Sequence, residues 1–142
     1  MTWFEPILAA AAVLIVDQIS KALVLSHSAV RQPVTAHSFL ALQLVLNRHW
    51  MLASIGGKAA LLVLWAAAVA MATLVIHLGM LPSGTLGSVG IGAAVGGATG
   101  NLLDQLRRGA VVDFIAIGWW PAFNVADAGI VAGAGLVLLS LR

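Results

Sequence analysis

The run from residue 59 to residue 79, AALLVLWAAAVAMATLVIHLG, contains no Asp, Glu, Lys or Arg. A helix of about 20 apolar residues is long enough to cross the roughly 30 Å hydrocarbon core of a bilayer. The rest of the chain has the same character, because 61% of its 142 residues are hydrophobic and only 8% are charged. A soluble domain normally carries about 25% charged residues. The sequence therefore predicts an integral membrane protein.

Three further apolar segments extend this prediction to an all-α protein with four transmembrane helices. We expect a single membrane domain over residues 1–142, with helices at about 4–25, 59–79, 86–106 and 124–141. Between the first two helices, residues 39–46 (FLALQLVL) form a short apolar run that indicates a strand in a small extramembrane loop. Trp50 follows this run, and Trp is enriched at membrane interfaces. We therefore expect the end of the loop to lie at headgroup level.

The first predicted helix carries two charged residues, Asp17 and Lys21. They are one helical turn apart, with the acid N-terminal to the base, which is the favoured order for an intrahelical pair. Pairing reduces the cost of placing either charge in the membrane. We therefore expect an ion pair that supports the structure. These charges, and the lack of a basic segment before them, also argue against a cleavable signal peptide.

Small residues recur along two of the predicted helices. Such stripes allow helices to approach closely in a membrane. One stripe lies at every fourth residue of the third helix and a shorter one in the fourth helix, and the residues are Ser88, Gly92, Gly96, Gly100, Gly129 and Gly133. We therefore expect tight packing between these helices.

The charged and metal-binding residue types exclude several functions. Seven Lys and Arg against five Asp and Glu give a net charge of +2, which is too little to form a nucleic-acid surface. Anionic lipid headgroups are the expected partners of these cations. The chain has no cysteine, so it has no disulfide, thiolate nucleophile or cysteine metal site. Its four histidines show no ligand spacing, and we predict no metal and no cofactor.

Three of the five acidic residues, Asp104, Asp113 and Asp127, fall between residues 100 and 127. A carboxylate costs roughly 2.5–3.5 kcal/mol at the centre of a membrane helix, so ionisable residues in such chains are candidates for function. Asn101 and Asn124 lie in the same stretch. This stretch is the predicted site.

The local sequence around Asp113 and Asp127 predicts two unlike carboxylates. Asn124 is a good helix N-cap, and Asp127, three residues later, can face the free N–H groups of the first turn. Asp113 lies in an apolar, extended segment without such support, and is easier to protonate. Two such carboxylates held close together divide into an acid and a base, which can activate a water against a peptide bond. The alternative is that Asp127 only caps a helix while Asp113 pairs with Arg107 or Arg108.

Four segments resemble the motifs of the lipoprotein signal peptidases, also called signal peptidase II. They are, in order, residues 17–21 (DQISK), 96–104 (GGATGNLLD), 108–114 (RGAVVDF) and 121–127 (PAFNVAD). The resemblance extends over nearly the whole chain, and the last two motifs are specific. It implies a four-helix aspartyl endopeptidase of the bacterial inner membrane, with both termini in the cytoplasm. Such an enzyme removes the signal peptide from diacylglyceryl-modified prolipoproteins before the lipid-bearing cysteine.

By this resemblance Asp113 and Asp127 are the catalytic pair. The residues implied to shape or support the site are Asn47, Asn101, Asp104, Asn124, Asp17 and Lys21. The chain departs from the family pattern in the first loop, where only Asn47 of the usual motif is kept over residues 47–52, and at Gln105, where Arg is usual. We expect an active enzyme whose substrate contacts are altered, with Arg48 and Trp50 meeting the lipidated substrate.

Two other functions fit parts of the sequence. A catalytically impaired or non-enzymatic paralogue would keep the fold and bind lipidated peptides. A proton-coupled transporter would use the acidic residues as a relay, but transporters usually contain internal repeats and none is visible here. We expect a monomer that acts on lipidated prolipoproteins among membrane lipids. The positions of Lys and Arg, counted alone, favour the opposite orientation of the termini.

Overall fold

A computed structural model describes residues 3–27, 40–47, 51–80 and 85–142. Within these ranges the chain forms four α-helices and a three-stranded antiparallel sheet. The helices are α1 (Phe4–Ser26), α2 (Met51–His77), α3 (Thr85–Arg108) and α4 (Val125–Ser140). The strands are β1 (Leu40–Asn47), β2 (Val111–Ile117) and β3 (Trp120–Phe123). The order places β1 between α1 and α2, and the β2–β3 hairpin between α3 and α4.

Helix α3 lies at the centre of the bundle and packs closely against α1 and α4. A Cβ atom added at Gly92 or Gly96 would collide with the backbone of α1, at Pro6 and Ala10 respectively. On another face of α3, a Cβ at Gly90 would lie 2.6 Å from the carbonyl oxygen of Gly133 in α4. The glycines therefore let the three backbones approach each other, as the stripes of small residues predicted.

Helix α2 lies against α3 through polar as well as apolar contacts. The indole of Trp65 donates a 3.0 Å hydrogen bond to the Thr99 hydroxyl. At the other end, Lys58 Nζ donates to the carbonyl oxygen of Leu106 at 3.3 Å. The helical backbone begins at Met51, earlier than the predicted residue 59, and is kinked at Gly57, where φ is 64° and ψ is −163°. Glycine tolerates this conformation because it has no Cβ.

The sheet has the order β1-β2-β3. Strand β1 pairs antiparallel with β2, and the register places Val45 opposite Asp113 and Asn47 opposite Val111. Strands β2 and β3 form a hairpin whose turn contains Gly118 at a φ of 50°. Two of the three strands thus come from the segment between α3 and α4. The predicted all-α class is therefore too narrow, because the acidic stretch itself forms most of a small sheet.

Three of the described helices are long and apolar enough to cross a membrane, namely Phe4–Ser26, Gly57–His77 and Thr85–Arg108. Helix α4 is apolar but has only 16 residues. The structure is therefore that of a mostly helical protein with three candidate spans and a small antiparallel sheet. The predicted interfacial residues Arg48 and Trp50 lie outside the described residues, and of residues 51–56 only the backbone is described.

Candidate active site

Asp113 lies on β2, outside the helices, and is only 4% exposed. Both of its carboxylate oxygens accept hydrogen bonds from amide side chains. Asn124 Nδ2 donates to Oδ1 at 2.7 Å, and Asn47 Nδ2 donates to Oδ2 at 3.2 Å. Asn47 reaches it from β1 because the antiparallel register places the two residues diagonally on the same face of the sheet. The extended segment that was predicted for Asp113 is thus a paired strand.

Burial raises the pKa of Asp113 from its ordinary value of 3.8 to about 6, and the nearby charge of Asp127 acts in the same direction. The hydrogen bonds from Asn47 and Asn124 and the charge of Lys21 oppose this rise, because they stabilise the ionised form. Asp113 therefore keeps a protonated fraction near neutral pH. A buried carboxyl that can hold a proton is suited to act as a general acid.

Asp127 lies in the first turn of α4 and forms a capping box with Asn124. Its backbone N–H donates to Asn124 Oδ1 at 2.9 Å, and its Oδ2 accepts from the backbone N–H of Asn124 at 3.1 Å. Its Oδ1 accepts from Asn101 Nδ2 at 2.8 Å. The N-terminus of a helix favours an anion. The capping box therefore places Asp127 at a helix N-terminus, in an environment unlike that of Asp113.

The two aspartates are joined by an amide bridge formed by the side chains of Asn101 and Asn124. Asn124 Nδ2 donates to Asn101 Oδ1 at 3.1 Å as well as to Asp113. Asn101 in turn donates to Asp127. Both asparagines are fully buried, with 0% exposure. Because each amide uses its oxygen and its nitrogen within the bridge, neither can rotate by 180° without losing bonds, and the positions of the two carboxylates are tied together.

A charged cluster of Asp17, Lys21, Asp104 and Arg108 lies next to the amide bridge. Lys21 Nζ is 2.8 Å from Asp17 Oδ2 and 2.9 Å from Asp104 Oδ2, and Arg108 also pairs with Asp104. The predicted pair of Asp17 and Lys21 is therefore part of a larger cluster. Gly100 makes room for it, since a Cβ there would lie 2.5 Å from Asp17 Oδ2.

The structure brings every predicted site residue into this one network: Asp17, Lys21, Asn47, Asn101, Asp104, Asp113, Asn124 and Asp127. The alternative pairing of Asp113 with Arg107 or Arg108 is wrong, because Arg108 pairs with Asp104 and Asp113 is held by amides. Arg108 is bound there because it lies one helical turn after Asp104 on the same helix.

Sequence reasoning did not identify two backbone groups that hold the site. The N–H of Val112 donates to Asp104 Oδ2 at 3.1 Å, and the N–H of Ala126 donates to Asp17 Oδ1 at 2.9 Å. Each belongs to the residue directly before Asp113 or Asp127. No side-chain pattern marks a backbone donor, so only the fold could show it.

Asp113 opens onto a cleft of about 460 Å³ formed by the sheet. Residues of all three strands line the cleft, among them Gln43, Val45, Trp120 and Pro121. A cleft of this size is in the range that accommodates a small ligand or a peptide segment. Asp113 therefore lines an open cleft, while the amide bridge that joins it to Asp127 is buried.

Apolar helices next to two carboxylates that are joined by buried amides are the arrangement expected of an integral membrane enzyme of the aspartic protease type. The chain matches the family described as signal peptidase (SPase) II over residues 9–142. It belongs to this family.

The curated relatives carry the name lipoprotein signal peptidase. The protein of Syntrophomonas wolfei is 41% identical over 128 residues, which cover 89% of this chain and 85% of the relative. The protein of Rhodococcus jostii is 36% identical over 137 residues, which cover 92% of this chain and 68% of the relative. These relatives give no support to the non-enzymatic alternative.

Two solved structures, both described as bacterial membrane enzymes determined by the in meso method, have the same fold. Each superposes with a TM-score of 0.70 over 96% of this chain. The sequence identities are 25% and 26%, and the alignments cover 86% and 91% of the solved chains. The agreement covers nearly the whole chain.

Proposed function

We propose that this chain removes the signal peptide from lipid-modified prolipoproteins, cutting before the lipid-bearing cysteine, with Asp113 and Asp127 as its acid–base pair. The name of its curated relatives supports the reaction. The observation that carries the assignment of residues is the amide bridge, which joins two carboxylates of unlike environment. Asn47, Asn101 and Asn124 orient the pair, and Asp17, Lys21 and Asp104 support it.

The unlike environments assign a role to each carboxylate. Asp127, in the capping box at the start of α4, acts as the base and removes a proton from a water whose oxygen attacks the scissile carbonyl carbon. Asp113 in its protonated form donates to the carbonyl oxygen, so that a neutral tetrahedral intermediate forms. Collapse of this intermediate restores the carbonyl, breaks the C–N bond and delivers a proton to the leaving amine. The pair returns to its starting state with one proton shared between two carboxylates.

The cleft beside Asp113 is the proposed binding place for the residues around the scissile bond. It is lined by residues of the sheet, both polar and apolar, including Gln43, Asn47 and Trp120. The lipid of the substrate stays in the bilayer beside the helices. The altered segment 47–52 changes substrate contacts without removing activity, because Asn47, the residue that contacts Asp113, is kept.

We further propose that residues 1–142 form one membrane domain that crosses the bacterial inner membrane four times, as a monomer among lipids, with both termini in the cytoplasm. Helix α4 has 16 residues, or about 24 Å at 1.5 Å per residue, which is short for a span. A span of this length is accommodated by local thinning of the bilayer. The aspartates then lie towards the outer leaflet.

The absence of cysteine from the sequence permits a direct test of this topology. We use two single-cysteine variants, Trp119→Cys in the hairpin turn and Ser140→Cys at the end of α4. Each is treated separately with a membrane-impermeant maleimide. We expect labelling of the first in intact cells, and of the second only after permeabilisation. Labelling of both sites from the same side would contradict a fourth crossing.

The proposed reaction is tested with purified protein and a lipidated prolipoprotein, by following the shift of the product on a gel. We expect cleavage by the wild-type chain and not by the Asp113→Asn variant. In addition, the wild-type gene should restore growth to a bacterium depleted of its own lipoprotein signal peptidase. A chain that binds the substrate but neither cleaves it nor restores growth would contradict the proposed function.

A further inference from the structure

Lys21 is the cation at the centre of the charged cluster, and it is completely buried, with 0% exposure. An ammonium group has three donors and no acceptor. All three are used, on Asp17 Oδ2 at 2.8 Å, Asp104 Oδ2 at 2.9 Å and Asn101 Oδ1 at 3.1 Å. Asn101 is neutral, so its hydrogen bond to Lys21 does nothing to balance the positive charge of the ammonium group. This third bond therefore has an effect other than charge pairing.

The two carboxylates bound by Lys21 hold the backbone on either side of the site. Asp17 Oδ1 accepts from the N–H of Ala126, the residue before Asp127, at 2.9 Å. Asp104 Oδ2 accepts from the N–H of Val112, the residue before Asp113, at 3.1 Å. The ammonium group thus connects the start of α4 to strand β2. These two segments carry the two proposed catalytic groups, so their separation depends on Lys21.

The third donor of Lys21 reinforces the direction of the amide bridge. Because Lys21 can only donate, Asn101 must present Oδ1 to it, and Asn101 Nδ2 is then directed to Asp127. The same Oδ1 accepts from Asn124 Nδ2, whose other hydrogen bond goes to Asp113. A rotated Asn101 would place its nitrogen against both the ammonium group and Asn124. Lys21 therefore stabilises the orientation in which each aspartate receives a donor.

We infer that Lys21 is a positioning residue of this site, which holds the separation of Asp113 and Asp127 and stabilises the orientation of the amide bridge between them. The inference rests on the proposed function of that pair. It assigns to Lys21 an effect on turnover that is separate from its effect on folding. Lys21 contacts neither aspartate of the pair, and it acts through Asn101 and through the two backbone segments.

The test separates positioning from charge balance. Lys21→Met alone leaves Asp17 without its cation, and we expect it to lose both stability and cleavage. Lys21→Met combined with Asp17→Asn removes one charge of each sign, while the amide oxygen of Asn can still accept from Ala126. The matched comparison is Lys21→Gln with Asp17→Asn, in which the amide nitrogen of Gln can donate to Asn101 and Asp104.

The thermal midpoint and the values of kcat and KM on one lipidated substrate are measured in detergent for each protein. In the Lys21→Met, Asp17→Asn protein we expect the midpoint to return towards that of the wild type. We expect kcat to stay about 10²-fold low, the size of loss that a misplaced group produces, with KM almost unchanged. The Lys21→Gln, Asp17→Asn protein should recover part of the lost kcat.

Three results would overturn the inference. The first is a kcat at the wild-type level in the Lys21→Met, Asp17→Asn protein, which would reduce Lys21 to a charge partner. The second is equal kcat in the Met and Gln double variants. The third is failure of both double variants to fold, which would make Lys21 a requirement of the fold alone. Failure of the proposed function has a different signature, namely near-normal cleavage by Asp113→Asn.

Discussion

Asn124 holds Asp113 with a 2.7 Å hydrogen bond from Nδ2 to Oδ1, although the same asparagine is also the N-cap of α4. One side chain therefore fixes the start of the helix that carries Asp127 and donates to the carboxylate on β2. This dual use explains why an amide is needed at this position: a hydroxyl or a carboxylate can cap a helix, but neither supplies two N–H donors in addition.

The first prediction separates the two uses of Asn124. Asn124→Ser keeps a capping oxygen, whereas Asn124→Ala does not, so the Ala variant should be less stable than the Ser variant by about 1 kcal/mol. Both lose the donor to Asp113. Hydrogen bonds to charged groups contribute about 1.5–3 kcal/mol, so cleavage should fall roughly tenfold or more in both variants. Unfolding curves and turnover are measured side by side. Normal cleavage by the Ser variant would show that Asn124 is only a cap.

The second prediction concerns pH. The pKa of Asp113 is raised to about 6, so ionisation of this group disfavours the folded state. Its contribution to stability is full below the unfolded pKa near 4 and is lost as the pH rises through about 6. Relative to Asp113→Asn, the free energy of unfolding of the wild type should therefore decrease over this window. A difference between the two proteins that stays constant from pH 4 to pH 7 would contradict the raised pKa.

The same titration should appear in catalysis. If protonated Asp113 is the general acid, kcat/KM should fall as the pH rises above about 6. Since the two carboxylates are coupled, the profile should be bell-shaped and should report the pair rather than one residue. A rate that still increases above pH 8 on a lipidated substrate would rule out this role for Asp113.

The third prediction concerns the buried pair of Asp17 and Lys21, both 0% exposed. Lys21→Leu leaves the buried carboxylate of Asp17 without its cation, which costs about 3–5 kcal/mol. Asp17→Leu leaves Lys21 paired with Asp104 but gives the buried cluster one excess positive charge. Replacing both leaves Asp104 paired with Arg108, so the double Leu variant should be more stable than either single variant. Denaturant titration in detergent measures this order. A double variant less stable than both singles would show that the pair is net stabilising.

The fourth prediction uses the glycines of the bundle. A Cβ at Gly96 would collide with the backbone of Ala10, which cannot move aside, so Gly96→Ala should destabilise by about 1–3 kcal/mol. Gly135 in α4 is the matched control, because a Cβ there meets nothing within 4 Å. Gly135→Ala should be neutral or stabilising by up to about 1 kcal/mol. Equal thermal midpoints for the two variants would contradict the close approach of α1 and α3.

The sequence predicted local features better than long-range ones. The capping box was readable because Asn124 and Asp127 are three residues apart, and the Asp17–Lys21 pair because the two lie one turn apart. Helix α2 begins earlier than predicted because Gly56, Gly57 and Lys58 interrupt the apolar run while the backbone remains mostly helical. The pairing of β1 with β2 joins segments from opposite halves of the chain, and no local pattern encodes such a register.

The partners of the charged site residues also could not be predicted from the local sequence. The local sequence offers Asp113 two nearby arginines as partners. In the structure its partners are instead Asn47, 66 residues before it, and Asn124. Lys21 was assigned one partner on its own helix, whereas Asp104 and Asn101 approach it from α3. These contacts arise from the packing of α1 on α3, which depends on the glycines between them. Local spacing and the family resemblance therefore identified the residues of the network but not its connections.

The most direct test of the aspartate pair compares turnover of three variants, Asp113→Asn, Asp127→Asn and Asp104→Asn, on one lipidated prolipoprotein. Each replacement keeps the shape of the side chain and removes one carboxylate. General acid–base groups contribute roughly 10²–10⁴-fold each, and a coupled pair loses about as much from one change as from two. We expect the first two variants to fold in detergent and to lose cleavage by this factor, while Asp104→Asn keeps measurable turnover. Near-normal cleavage by Asp113→Asn or Asp127→Asn would contradict the aspartyl mechanism.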